Sequence, residues 1–564
     1  MRLLKSLRPF ILSEWFFVFI LSAILISLAF IPFFYQQSQT PKNSVFFQVH
    51  NNPLDYPMFI SEIIQAQRGR WTFLATFTSE PQVGTLVHPI YIIIGKIGGL
   101  FNLQAPFLYN FSRMLVGFIL SFSIYYFIKT TFLSTSRSKD DICISKIKVK
   151  LAFFLALFSA GFAIISFENG KLKLIGSFLE WWTGGDVLRR AIFQPHAMMK
   201  NTLLLLILIW MGKLLTGGKI KYLLLSLPAA SLLGLLDPMN TMTILILLAL
   251  FGIYKGIAFL LILKSKNSKK ELNNLIVCYL YLVIYAIFAL VSLSYMNWVF
   301  EFTPWKAVKD WEAKNFYYIN IWHYANHIGL TFYLGIPGLF LLFWKKRNIF
   351  SFFSLSLALG SLFLLTSGIT QKLGLSTLRF FQTPAYIFLA IGSSELIITL
   401  FNKIKAHYLK LLTLIFVLLI TIISIPSYII SFRNQFNEFQ PWFWNIYPTK
   451  GYVNALMWLK NNSPLESVVL SNSLAGNIIP GISGNTVYVG HMVSTINYQQ
   501  KDETVKKFLS GTMPENEARK LMKDGRIDFV ILNWGEPERV EKNNYPFLKK
   551  VFQNEEASIY KVTL

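Results

Sequence analysis

Long apolar runs separated by short polar stretches fill the first 430 residues. The first, residues 14–34 (EWFFVFILSAILISLAFIPFF), is too long for the core of a cleavable leader, and no small-residue cleavage site follows it. It therefore reads as an uncleaved membrane span. Further runs of span length cover 107–130, 150–167, 196–216, 222–236, 239–262, 275–293, 328–344, 350–368, 379–399 and 411–430. The run at 222–236 is short, and Asp237-Pro238 separates it from the next. Since about twenty apolar residues cross a bilayer as a helix, the pattern predicts an all-α polytopic transmembrane bundle. Its expected size is about 11 spans, within a range of roughly 10–13.

The pattern changes after residue 430. Short alternating or apolar runs follow at 467–472 (SVVLSN), 486–490 (TVYVG), 528–533 (DFVILN) and 557–562 (ASIYKV), which read as strands. The segment Glu515–Asp524 reads as a helix, with Pro514 placed for its start and Gly525 for its end. A small C-terminal α/β soluble domain is expected over 431–564. Its opening, 434–447, carries Phe439, Trp442, Phe443 and Trp444 and suits a membrane interface. The membrane part, 1–430, leaves three longer connections: 35–106, 168–195 and 294–327.

Composition agrees with the spans. Of 564 residues 54% are hydrophobic and 14% charged, where a soluble protein carries roughly a quarter charged; the mean hydropathy is +0.48. A net charge of +25 could mark nucleic-acid binding, but its placement argues for topology. Residues 431–564 hold 15 basic and 13 acidic side chains, leaving +23 for residues 1–430. There the basic clusters are Arg2/Lys5/Arg8, Lys146/Lys148/Lys150, Lys219/Lys221, Lys264/Lys266/Lys269/Lys270, Lys345/Lys346/Arg347 and Lys403/Lys405/Lys410. With eleven spans all of them fall on one face, which the positive-inside rule makes cytoplasmic. A multi-pass protein of the plasma membrane is expected, N-terminus inside and C-terminal domain outside, with lipid but no nucleic acid as partner. This parity requires 86–103 (LVHPIYIIIGKIGGLFNL) to be an amphipathic or partly inserted helix within the first external connection. Two cysteines, Cys143 and Cys278, exclude a disulfide framework and a Cys-rich metal site.

With the basic face assigned inward, ten of the 15 acidic residues in 1–430 and six of seven histidines (all but His407) fall on or near the outside. Glu14 and Glu395 fall near inner span ends. Carboxylates gathered there are candidates for a general base, a metal ligand or a cation site, against a solvated rim as the alternative. The first connection reads NPLDYPMFISEIIQAQRGRW at 52–71, TFTSEP at 76–81 and HPIY at 88–91. Gln194-Pro195-His196 and Arg379-Phe380 open later spans, and the C-terminal part carries WLKNNSPLESVVLS, GNIIPGISGNTVYVGH and GRIDFVILN.

This set resembles the GT-C class of integral-membrane glycosyltransferases, closest to uncharacterised bacterial members. The resemblance implies a polyprenyl-phosphate-sugar donor, a lipid, glycan or protein acceptor, and hexosyl or pentosyl transfer outside the membrane with inversion. It implies that Asp55, the acidic residue of the first loop, activates the acceptor as a base; the alternative for Asp55 is a helix N-cap before Pro57. A phosphate is already a good leaving group, so one base and a cationic cradle suffice, unlike the two carboxylates of glycoside hydrolysis. For the departing phosphate Arg379 comes first, with His196, Tyr56, Arg68 and Arg70 as further contacts and Arg189/Arg190 behind them; each arginine has an interfacial or solvated alternative. Asp186 and Glu80 are candidates for a second carboxylate. Asp55 with Asp186 could hold Mg²⁺ or Mn²⁺, although no D-x-D or E-x-D stands there.

His323 and His327 are spaced i, i+4 but lack the glutamate and third ligand of a zinc motif, so packing is the simpler account. Trp181-Trp182 reads as an interface belt, and Asp237-Pro238 as a helix-end cap. Two other functions remain to be weighed: a transporter or flippase of lipid-linked glycans, and a non-catalytic protein of the same fold. A transporter tends to place charge at mid-membrane between repeated halves; here the acids gather at the outer rim and the halves do not repeat. For the C-terminal domain, acceptor binding and a structural cap are both open.

Overall fold

The computed structural model describes residues 13–50, 52–134, 138–168, 170–175, 186–190, 192–261, 268–314, 319–381, 384–401, 406–437, 443–541 and 545–564. Arg2, Lys5, Arg8, Glu180, Trp181, Trp182, Lys264, Lys266, Lys403, Lys405, Phe439 and Trp442 lie outside these residues. The chain forms two compact units. One comprises Met1–Phe30, Arg113–Met296 and Ala313–Asn434; the other comprises Ile31–Ser112, Asn297–Glu312 and Gln435–Leu564. The first connection thus belongs with the C-terminal domain, which no contiguous cut at residue 430 anticipates.

Each of the eleven apolar runs carries a helix: Glu14–Ser38, Ala105–Leu133, Lys139–Phe158, Pro195–Leu215, Lys221–Leu236, Pro238–Leu261, Ser268–Val299, Leu330–Lys346, Ile349–Thr366, Ala385–Leu400 and Ala406–Asn437. Among the described residues seven helices are long and apolar enough to cross a membrane alone. The number is eight if Ile321–Ile328 and Leu330–Lys346, bent by 100°, form one span. Lys221–Leu236 and Ala385–Leu400 have 16 residues each, a rise of about 24 Å against a hydrocarbon core of about 30 Å. The run at 150–167 is not wholly helical. Its helix stops at Phe158, and Ile164–Glu168 (β1) pairs antiparallel with Lys171–Ile175 (β2). The reason is local: β-branched Ile164 and Ile165 precede an Asn-Gly turn sequence, and Gly170 takes φ +71°.

Within the helical unit, Leu330–Lys346 and Ala385–Leu400 touch backbone to backbone. A Cβ at Gly338 would stand 1.8 Å from the Gly392 carbonyl oxygen, and one at Gly392 2.1 Å from that of Gly335. Small residues let membrane helices approach in this way. Glu395, 1% exposed, accepts from Lys148 Nζ at 2.6 Å, and Lys345 Nζ stands 3.4 Å away. Glu14 is held by Lys129 and Tyr125.

In the second unit a five-stranded sheet forms from β3 (Val468–Leu470), β4 (Thr486–Val487), β5 (Ile527–Asn533), β6 (Leu548–Gln553) and β7 (Ala557–Val562), in the order β4-β3-β5-β7-β6. β3 runs parallel to β4 and β5, while β7 is antiparallel to β5 and β6. Leu470, Val489, Phe508 and Val530 are buried in its core. Glu515–Asp524 is a helix with Pro514 and Gly525 at its caps. β6 (LKKVFQ) carries two adjacent lysines, which blur the alternation a strand would show. The first connection contributes helices Tyr56–Gln67 and Pro89–Leu100.

Candidate active site

Asp55 sits at the N-cap position of helix Tyr56–Gln67, with Pro57 in the first turn. An aspartate there normally accepts from the helix's first amides, but Asp55 makes no side-chain cap bond. Its carboxylate turns elsewhere. Oδ1 lies 2.9 Å from His491 Nε2, and Oδ2 accepts from Asn52 Nδ2. His491 Nδ1 accepts the backbone N–H groups of Val493 and Ser494, both at 3.2 Å. A neutral imidazole has one donor and one acceptor nitrogen, so these two bonds put its proton on Nε2, facing Asp55. The His491 side chain is 7% exposed and that of Asp55 31%. The carboxylate is therefore anchored from behind and open in front.

The local sequence explains how residues 55 and 491 meet. Val487 N–H donates to the Thr76 carbonyl at 2.8 Å, and Thr495 Oγ1 donates to that of Phe77 at 2.7 Å. The TFTSEP segment thus lies along the loop that carries His491. Helix Ser473–Ile482 reaches the same place: Asn477 Nδ2 donates to the Leu54 carbonyl at 3.2 Å. In that helix a Cβ at Gly476 would stand 2.1 Å from the Val489 carbonyl oxygen, so the residue type sets the approach. The glycines of GNIIPGISGN are packing contacts, not a phosphate loop.

The other acids of this unit are committed differently. Glu80 lies 2.7 Å from Lys501 Nζ and accepts from Thr78; burial pushes its carboxyl up, but Lys501 and Thr78 together hold it below the usual range. Glu62 is 2% exposed and faces His88 Nδ1 at 3.4 Å. Burial pushes it up to about 7, with His88 only partly offsetting. Tyr56 is 1% exposed, its ring packed on Tyr109 and Phe47. Arg68 donates to the Lys460 carbonyl at 3.0 Å and Arg70 pairs with Glu466, so both join the first connection to the C-terminal domain.

The helical unit holds the remaining candidates. Asp186 caps the short helix Val187–Arg189, accepting from Leu188 N–H at 3.1 Å and from Ser431 Oγ at 2.6 Å; Arg189 Nε stands 3.5 Å away. Arg190 is buried, donates to the Ala156 carbonyl and lies over the Tyr386 ring at 4.8 Å. His196 is half-buried in the first turn of Pro195–Leu215. One turn further on, buried Lys200 donates to Asp237 at 2.8 Å, and Asp237 also accepts from Asn240 N–H at 3.0 Å. Arg379, in the short helix Leu378–Phe381, interacts electrostatically with both members of that pair. His323 is exposed and His327 buried, so the two do not share a surroundings.

Sequence reasoning did not single out His491, Lys200 or Lys501. The signals were the histidine ending TVYVGH and a lone lysine near the start of an apolar helix. The donor set does not suit a divalent cation. Asp55, Asp186 and Glu80 each face N–H or O–H donors, and no group of three His, Cys, Asp or Glu gathers among the described residues.

No family model matches the chain, and no curated protein matches it in sequence. Solved structures do match. The apo oligosaccharyltransferase of Archaeoglobus fulgidus aligns with TM-score 0.54 at 14% identity, covering 98% of this chain and 75% of that one. Oligosaccharyltransferase AglB of the same organism, in complex with an inhibitory peptide and a dolichol-phosphate, gives TM-score 0.52 at 13% identity over 98% and 74%. ArnT from Cupriavidus metallidurans, bound to undecaprenyl phosphate, gives TM-score 0.47 at 10% over 97% and 98%. At such identities the likeness is one of architecture. This chain is a multi-pass membrane protein with the GT-C fold.

Proposed function

We propose that the chain is an inverting membrane glycosyltransferase, moving a sugar from a polyprenyl-phosphate donor to a lipid, glycan or protein acceptor on the extracytoplasmic face. The observation that carries this reading is the Asp55 carboxylate, which stands at a cap position, caps nothing, and is held by His491 and Asn52. Asp55 takes the proton of an acceptor O–H or N–H as that atom bonds to the anomeric carbon. The bond from that carbon to the phosphate oxygen breaks, and polyprenyl phosphate leaves with the electron pair. One displacement inverts the centre. His491 is a positioning residue: its Nε2–H holds the Asp55 carboxylate in one orientation. Arg379, which interacts electrostatically with the Lys200–Asp237 pair of the helical unit, is the proposed source of positive charge for the leaving phosphate. The fold likeness supports the donor class, since the aligned AglB structure holds a dolichol-phosphate.

The test is transfer of radiolabelled sugar from polyprenyl-phosphate donors in proteoliposomes. Asp55→Asn should lower kcat by about 10²–10⁴-fold, the usual worth of a positioned base, with KM for the donor little changed. His491→Ala should cost kcat on the order of tenfold or more, and His491→Gln, which keeps an N–H, should recover part of it. Equal turnover by Asp55→Asn and the parent would overturn the assignment. The buried Lys200–Asp237 pair is the observation that favours a transporter instead; movement of lipid-linked glycan with no transfer to any acceptor would decide for it.

A further inference from the structure

The β1–β2 hairpin of the helical unit has two unlike faces. Ile165 pairs with Leu174, Ser166 with Lys173, Phe167 with Leu172 and Glu168 with Lys171. Successive side chains of a strand point to opposite faces. Ile165, Phe167, Leu172 and Leu174 therefore share one face, and Ser166, Glu168, Lys171 and Lys173 the other, with the Ile164–Ile175 pair at its base. The charged face is paired within itself, Lys173 Nζ lying 2.7 Å from Glu168. The apolar face is bare: Phe167 is 75% exposed, and Ile165 and Leu172 are 57% exposed each. A two-stranded hairpin standing alone in water is marginal, and this one turns its best packing surface outward.

Helix Ala406–Asn437 fixes the level at which the hairpin stands. The chain entering β1 is bonded along it: Ala160 N–H donates to Ser424 Oγ at 3.1 Å, and Ser427 Oγ donates to the Gly161 carbonyl at 2.6 Å. On the return strand the Leu174 carbonyl accepts from Arg433 Nη2 at 3.3 Å. From Ser424 to Arg433 the helix rises about 14 Å. Below this point it is a membrane span: residues 411–432 carry no charge, and Ile422, Ile425 and Ile429 form an exposed stripe on it. Arg433 is the first charged residue after that run, so it marks where the span leaves the hydrocarbon. The hairpin is tied to that mark.

We infer that the hairpin is a membrane-interface anchor, its apolar face laid on the lipid of the bilayer and its charged face turned to water and headgroups. The level of Arg433 places it at the boundary, continuous with the lipid-facing stripe of the same helix. The outer edges of its two strands need hydrogen-bond partners, which the hydrocarbon core does not offer and the headgroup layer does. A protein partner fits less well: four side chains fall well short of the roughly 800 Å² that each side of a specific interface buries. Lys171 and Lys173 are long enough to keep their ammonium groups in water while their stems cover apolar surface. The inference goes beyond the Asp55 reading and stands whether or not transfer occurs, since it concerns lipid contact alone.

The test uses the full-length chain with Cys143 and Cys278 replaced by alanine, so that single cysteines can carry a fluorophore. Phe167→Cys and Leu172→Cys sample the apolar face, and Lys171→Cys and Lys173→Cys the charged one. All four positions are exposed, and thermal midpoints within about 2 °C of the parent would show the fold intact. In phosphatidylcholine vesicles, lipids with a nitroxide high on the acyl chain should quench labels at 167 and 172 at least about twofold more than labels at 171 and 173. Iodide present on both sides of the membrane should reverse that order. A roughly tenfold dilution of protein into lipid should leave the difference unchanged, as a face covered by a second copy would not. Equal lipid quenching on the two faces, or iodide reaching 167 and 172 as freely as 171 and 173, would overturn the inference. So would shielding of 167 and 172 from both quenchers, which would mean that protein covers the face.

Discussion

Asp55 and Glu62 lie two turns apart on one helix and show how differently a carboxylate can be housed. Asp55 keeps solvent on one side and two donors on the other, an arrangement that suits a working base. Glu62 is enclosed, and its pKa of about 7 makes it a liability to the fold at high pH. The folded state holds this proton up to about pH 7, whereas an unfolded glutamate releases it near 4.3. Between those values the folded state binds more proton, so its stability falls as pH rises and levels off above pH 7. Glu62→Gln removes the titration. Its advantage over the parent should be small at pH 5 and approach about 3 kcal/mol at pH 8, read as a growing gap in thermal midpoints. A constant gap across that range would contradict the assignment. Asp55 stands out in the sequence as a candidate because acid, tyrosine and proline stand together before an amphipathic stretch. Its partner does not, because nothing in spacing ties residue 491 to residue 55; only the folded TFTSEP segment does so.

At the scale of elements, each long apolar run located a helix but not how the helices pack. Gly335, Gly338 and Gly392 read in sequence as interruptions of apolar runs; in the fold they are the contact. Gly338→Ala should destabilise this pair by about 1–3 kcal/mol, the usual cost of overpacking. Gly360→Ala, in a helix where an added Cβ meets nothing within 4 Å, should be neutral or stabilising. Thermal midpoints in detergent compare the two, and similar effects would contradict the close approach. Where apolar length misled, at 150–167, the run mixes two periods: the end of a helix and the first strand of a hairpin. The caps of Glu515–Asp524 were legible because Pro514 and Gly525 act through local backbone geometry alone.

For the whole molecule, the charge pattern gives an orientation that one thiol can test. Cys143 lies in the charged first part of helix Lys139–Phe158, beside Lys146 and Lys148. In a Cys278→Ala background a membrane-impermeant maleimide should leave Cys143 unlabelled in intact cells and label it after permeabilisation. Labelling in intact cells would reverse the proposed orientation. The last long helix, Ala406–Asn437, runs past the change of composition at residue 430, and the five-stranded sheet follows it in the chain. That change does not mark the units of the fold, because composition reports solvent while the units are set by pairing across the chain: Val45 with Pro448, Val487 with Thr76, His491 with Asp55.

That pairing bears on biogenesis. Asp55 and His491 are 436 residues apart, and ribosomes make the first long before the second. While the helices are being inserted, residue 55 waits without its imidazole. The last segment must be synthesised and folded before the pair can form. A chain cut short by a premature stop or a protease would keep its membrane anchor and Asp55 but lack the group that aims it. On the role proposed for Asp55, the fold thus doubles as a check on completeness: a carboxylate made early is aimed by an imidazole made late.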